Sequence, residues 1–169
     1  TFGGNTWGCV EQNAIDWYNY QSKKQKEKQS PNVHHLAFIH IPLPEFADLA
    51  NNGEYYGNRN EDVHCPYVNT ELFDHIKRNG DITGIFSGHD HKNNMRGWYE
   101  GVELVYGQKG GYATYGDERG ARVITLKENY NEQGELTVSR RSHIIFENGT
   151  IDHQNIAKRE QDGRVTSCP

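Results

Sequence analysis

Two histidines one residue apart, His89 and His91, stand in the stretch Ile85-Phe86-Ser87-Gly88-His89-Asp90-His91-Lys92-Asn93-Asn94. Just past a short apolar run, such a pair can turn both imidazoles to one point and bind a metal ion, and imidazole suits zinc, iron, manganese and copper. Gly88 in front of the pair lets the backbone leave the strand without a Cβ clash. A second apolar run, Leu36-Ala37-Phe38-Ile39-His40-Ile41, also reaches a histidine and is followed at once by Pro42-Leu43-Pro44. Proline cannot donate to a sheet ladder, so the strand must stop there with His40 at its exit. If the two strands are parallel neighbours, their C-terminal ends share one rim, where open α/β sheets place their sites. Three imidazoles then converge.

The elements that must position them alternate along the chain. Val10, Ala14, Trp17, Tyr18 and Gln21 recur at helical spacing and predict an amphipathic helix over 10–29, stopped by Pro31. A strand is expected over 35–41, a helical turn over 44–50, and a long loop over 51–67 that carries Tyr55, Tyr56 and Arg59. Asn69 is expected to cap a short helix whose Val68, Leu72, Phe73 and Ile76 face inward, with Asn79-Gly80 as its left-handed stop. Strands follow over 82–87, 102–106, 121–127 and 136–146, separated by glycine-rich turns, and 150–169 reads as an irregular tail. No repeat, low-complexity segment or second domain is evident.

These segments resemble the calcineurin-like metallophosphoesterases, within them the purple-acid-phosphatase-related branch. The likeness is carried by Phe38-Ile39-His40-Ile41-Pro42-Leu43-Pro44-Glu45, by Val68-Asn69-Thr70-Glu71-Leu72-Phe73, and by Gly80-Asp81-Ile82-Thr83-Gly84 running into the histidine pair. It continues through Tyr106-Gly107, Gly111-Tyr112, Tyr115-Gly116 and Arg119-Gly120-Ala121-Arg122-Val123, in order over residues 36–126. The resemblance implies an α/β fold, the C-terminal half of a four-layer α/β/β/α sandwich, with 1–150 as that half-domain and 151–169 as the tail. It implies hydrolysis of a phosphomonoester at two divalent or trivalent metal ions (iron, zinc or manganese), with His40 and His89 on one ion and His91 on the other. The family's Asp-x-His, its bridging aspartate and its Gly-Asn-His asparagine are not found here, and Gly4-Asn5-Thr6 lacks the histidine. The resemblance therefore implies an upstream half of the same domain as partner, a phosphorylated substrate, and no catalytic side chain in this half beyond the ligands.

Asp90, between the two histidines, is expected to act on the loop or behind the ligands, since its side chain points away from its neighbours' site. His34 and His35 precede the strand and read as surface or packing residues, while His64, His75, His143 and His153 have no partner spacing and read as ordinary. Tyr106, Tyr112 and Tyr115 could line a cleft or simply pack. The rival reading of the chain is a phosphatase-derived structural or interaction module that has lost the reaction, and a simple metal-binding protein is a third. Intact His40, His89 and His91 weigh against decay.

Of 169 residues only 34% are hydrophobic, and mean hydropathy is −0.94, which suits a half-molecule better than a free-standing enzyme. A net charge of −5 argues against nucleic acid, because phosphate backbones attract basic surfaces. The one basic run, Ser22-Lys23-Lys24-Gln25-Lys26-Glu27-Lys28, reads as a solvated helix end. No apolar run approaches the ~20 residues of a membrane span, and Thr1 opens no signal-peptide pattern, so targeting information is expected upstream. Cys9, Cys65 and Cys168 form no Cys-x-x-Cys, making a structural zinc site improbable, and an odd count leaves at least one free or paired elsewhere. Asn148-Gly149-Thr150 is a glycosylation sequon on a turn-like Glu-Asn-Gly. With it, an extracellular or secretory location is favoured.

Overall fold

The apolar runs pair as their composition dictates, and the sheet they build sets the rim of the site. The computed structural model describes residues 7–28, 35–158 and 166–168; Gly4-Asn5-Thr6, Pro31 and His34 lie outside the described residues. In chain order the elements are α1 (Gln12–Lys28), β1 (His35–Phe38), α2 (Glu45–Asn52), β2 (Tyr55–Tyr56), α3 (Leu72–Asn79), β3 (Ile82–Ser87), β4 (Arg96–Tyr99), β5 (Val102–Tyr106), β6 (Gly120–Tyr130), β7 (Leu136–Phe146), β8 (Ile151–Asp152) and β9 (Ala157–Lys158). One sheet runs β1-β3-β5-β4-β2-β9, and a second runs β6-β7-β8. β1, β3 and β5 are parallel to one another, whereas β4, β2 and β9 join antiparallel. This is a mixed α/β fold.

β5 is buried at every position, Val102 to Tyr106, because both faces of the large sheet are covered there. Val102, Leu104 and Tyr106 share the helix-side core with Ile15, Phe46, Leu49, Phe73, Ile76 and Ile85. The intervening Glu103 and Val105 face the second sheet. Across that interface Arg140 of β7 donates to Glu103 Oε2 at 2.6 Å and to Thr83 O at 3.1 Å. Arg122 of β6 donates to Tyr106 O at 2.6 Å and Asn94 O at 2.8 Å. A Cβ at Gly84 would stand 2.6 Å from the Arg140 guanidinium, so glycine there lets the arginine lie against the strand.

The helices differ from their sequence reading in ways that packing explains. In α1 the buried residues are Ile15 and Ser22, while Trp17 is 64% exposed. The expected stripe of Val10, Ala14, Trp17, Tyr18 and Gln21 lines an open groove beside edge strand β1, with Val10 and Tyr18 also packed against the core. α3 begins at Leu72 rather than Asn69. Asn69 Oδ1 accepts from Glu71 N at 2.9 Å in the turn before it, and Val68 is exposed. Its stop is as expected: Gly80 has φ 66 and donates to Ile76 O at 2.8 Å. The basic end of α1 contributes Lys26, which donates to Asn79 O, a carbonyl at the negative end of α3.

Four strands, β2, β4, β8 and β9, escaped the periodicity reading. β4, Arg-Gly-Trp-Tyr, carries a glycine and too few apolar residues to stand out, and β2 holds only two residues of the expected 51–67 loop. The region 150–169, expected to be irregular, supplies β8 and β9. Its Thr166 Oγ1 accepts from Arg59 at 2.9 Å, and Cys168 is disulfide-bonded to Cys65, 103 residues away. Cys168→Ser is expected to lower the unfolding free energy by about 2–5 kcal/mol. Urea melts of the oxidised wild type and the variant, with dithiothreitol-treated wild type matching the variant, are the check.

Candidate functional site

The parallel pairing of β1 with β3 sets Phe38 opposite Phe86, and hydrogen bonding continues past the strand ends. Ile39 N donates to Phe86 O at 2.9 Å, Gly88 N to His40 O at 3.1 Å, and Ser87 Oγ to His40 O at 3.0 Å. His40 and Gly88 are thereby fixed side by side at the C-terminal rim. The chain then turns sharply: Asp90 N donates to Gly88 O at 2.9 Å, closing a three-residue turn about His89. His89 itself takes φ 72, so the left-handed bend falls on the histidine rather than on Gly88. Such a conformation at a non-glycine residue costs about 1–3 kcal/mol and concentrates at functional sites.

The turn presents the ring of His89 to that of His40, with centroids 5.2 Å apart and planes at 78°. Trp7 covers the His89 ring at 4.2 Å. His91 lies on the Tyr115 ring at 4.4 Å, and its Nδ1 is 3.2 Å from Tyr115 O. A carbonyl partner makes Nδ1 the donor and leaves Nε2 with a free lone pair. Glu61 holds this stack, its Oε1 accepting from Tyr115 OH at 3.2 Å and from Lys92 N at 2.7 Å.

Asp90 turns away from both flanking rings into the core. Its Oδ2 accepts from Tyr106 OH at 2.5 Å and from His64 N at 3.2 Å, and its Oδ1 lies 2.7 Å from His64 Nδ1. Burial, with Asp90 beside it, pushes the Tyr106 hydroxyl well above its ordinary pKa, so it stays a donor. His64, which has no partner spacing in the sequence, thus stands at the site, 6.3 Å from the His89 ring. Only the fold reveals it, because its partner lies 26 residues away. The tyrosines divide: Tyr115 supports His91, Tyr106 lies beneath Asp90, and Tyr112 stacks on Arg119 and donates to Glu147.

The remaining histidines lie elsewhere. His75 meets Asn19 between α1 and α3, His35 lies 3.5 Å from Asp81, and His143 and His153 pair on the second sheet. Burial lowers the pKa of His89; Asp90 pulls it back up, and the imidazoles of His40, His64 and His91 lower it further. The balance favours the neutral ring, the form that ligates a metal. Among the described residues, however, no three His, Cys, Asp or Glu side chains are already drawn around one point.

Comparison with known proteins finds relatives of one kind. The chain is 32% identical over 132 residues to Probable inactive purple acid phosphatase 14 of Arabidopsis thaliana, across 74% of this chain and 33% of the relative. It is 34% identical over 128 residues to Probable inactive purple acid phosphatase 29 of the same plant, across 70% and 33%. Serine/threonine-protein phosphatase CPPED1 of Danio rerio is 30% identical over 122 residues, across 72% and 37%. The chain belongs to the purple-acid-phosphatase-related calcineurin-like metallophosphoesterases. It spans about a third of the length of these curated relatives. No family model and no solved structure matches it.

In a metallophosphoesterase the donors at this rim are of the right chemistry. His91 has Nδ1 engaged and Nε2 free, and neutral imidazoles are ligands that zinc, iron and manganese accept. The residues fit such ions, with further ligands needed. No helix of the described residues is long and apolar enough to cross a membrane. Asn148 is exposed in the β7–β8 turn, where its Oδ1 accepts from Thr150 N at 2.9 Å.

Proposed function

We propose that this segment is the C-terminal half of a four-layer metallophosphoesterase domain that hydrolyses phosphomonoesters, its two-ion site completed by an upstream half. The observation that carries this is the meeting of His40 and His89, rings 5.2 Å apart, at the common C-terminal rim of β1 and β3. His40 and His89 serve one ion and His91 the other, with iron, zinc or manganese as the candidates. When bound, such a pair neutralises phosphoryl oxygens and makes water a nucleophile near neutral pH.

This chain's own part is to hold and orient. The turn about His89 aims its ring, Tyr115 and Glu61 fix His91, Asp90 anchors the loop between them, and Trp7 packs on the His89 ring. The upstream half docks along edge strand β1, where an open groove of about 540 Å³ runs between Trp17 of α1 and Phe38. Phe38 is 66% exposed there, a cost that a further strand would remove. Residues 1–150 form the half-domain, and 151–169 is a tail that is tied back onto it through β8, β9 and Cys168. The Cys65–Cys168 disulfide and the exposed Asn148 sequon support a secretory-pathway location with glycosylation at Asn148. The net charge of −5 speaks against nucleic acid as a partner.

The isolated 169-residue chain is expected to show no phosphatase activity above background. The complete protein is expected to hydrolyse a generic aryl phosphate with iron, zinc or manganese present and to lose that activity to a chelator. Robust metal-dependent turnover by the isolated chain would place the chemistry elsewhere. A second reading, an inactive phosphatase-derived module, is favoured by the word "inactive" in the names of the two plant relatives. Metal content of the complete protein separates them: two equivalents mark the enzyme, none the scaffold.

A further inference from the structure

We propose that His64 is an additional metal ligand of this rim, presenting Nε2 to the ion that His40 and His89 face. The inference rests on the metal-site reading above and extends it to a residue outside the recognised motifs.

One buried carboxylate grips His64 at two points. Asp90 Oδ1 lies 2.7 Å from the ring Nδ1, and Asp90 Oδ2 accepts the backbone N–H at 3.2 Å. A carboxylate on Nδ1 fixes the tautomer with the lone pair on Nε2, which is the carboxylate–histidine–metal arrangement. The Asp90 side chain is 0% exposed, whereas that of His64 is 45% exposed. What the pair offers to the outside is therefore the imidazole edge remote from Asp90.

The His64 ring itself lies by the rim. The His64 ring stands edge-on to His89 at 6.3 Å and 83°, much as His40 does at 5.2 Å and 78°. With Zn–N bonds of about 2.0–2.1 Å, rings sharing an ion have centroids up to roughly 6 Å apart. His40 and His89 already meet that limit, and the separation of His64 from His89 lies just beyond it. Among the described residues the three rings do not form a closed cluster as they stand, so the ion must draw His64 inward.

The placement is also built. Val63 N donates to Thr166 Oγ1 at 3.3 Å, Cys65 is bonded to Cys168, and Asn93 Oδ1 accepts from Asn60 N and Glu61 N at 2.9 and 3.0 Å. Burying a charge such as Asp90 is expensive. A latch for a surface loop could be made from neutral groups, whereas a ligand imidazole gains from a carboxylate.

Cobalt(II) titration of the 169-residue chain, read by calorimetry and by the visible absorption of the bound ion, tests this. His64→Asn keeps an amide N–H where Nδ1 sits and removes Nε2, so a latch survives it and a ligand does not. The expected result is one bound equivalent in the wild type, binding weakened about tenfold or more in His64→Asn and in His89→Asn, and no change in His75→Gln. The urea midpoint of metal-free His64→Asn should match wild type. Wild-type affinity in His64→Asn, or no binding by the wild-type chain, overturns the inference. Either result leaves the proposed function standing, because that reading draws most of its ligands from the upstream half.

Discussion

His89→Ala in the complete protein is expected to lower turnover of an aryl phosphate by about 100-fold or more, since it removes a nitrogen donor from an ion that polarises the phosphoryl group. The loss should fall on kcat with the protein still folded, because His89 is only partly buried and alanine must adopt the same left-handed φ of 72. Alanine at that position relieves no backbone strain, as its Cβ suffers the same left-handed crowding. His75→Gln is the control: His75 sits between α1 and α3, bonded to Asn19, remote from the rim. Full activity in the His89 variant, measured at saturating zinc or manganese, would show that the rim histidines do not hold the reacting centre.

The second large effect concerns the junction of the two sheets. Arg140→Ala is expected to destabilise the chain by about 3–5 kcal/mol, the cost of leaving a buried carboxylate short of its partner. Glu103 and Arg140 side chains are only 9% and 12% exposed, and Arg96 is the other cation on that carboxylate, at 3.2 Å. Arg140→Ala also strands Thr83 O, to which it donates. Pairing it with Glu103→Gln should recover part of the loss, because the double change removes both charges. Urea denaturation of the two single variants and the double variant gives the coupling directly; an Arg140→Ala midpoint equal to wild type would refute the account.

How much of this was legible beforehand follows from the range of each interaction. Strands 82–87 and 102–106 were read to the residue, because β-branched and aromatic runs bounded by glycine state their own limits. The Gly80 stop of α3 was equally local, since only the chain's own carbonyl at Ile76 is needed to form it. For α1 the spacing showed an amphipathic helix but not what its stripe would meet. Its most apolar stripe, with Trp17, lines the groove at edge strand β1, and the narrower line of Ile15 and Ser22 packs inside. β4 was missed because its ladder partners, β5 and β2, supply the stability that its own Arg-Gly-Trp-Tyr composition lacks.

The sequence by itself determined that two apolar strands end in histidines and that a proline and a glycine mark those ends. These are consequences of backbone chemistry that act within a few residues. Only the tertiary structure decided that the strands are adjacent and parallel, which puts His40 and His89 at one rim. It also decided that Asp90 reaches back 26 residues to His64, and that Cys65 pairs with Cys168 rather than Cys9. No local pattern encodes those pairings. They arise because folding buries Asp90 beside Tyr106, and a buried carboxylate takes whatever donors the surrounding loops can bring to it.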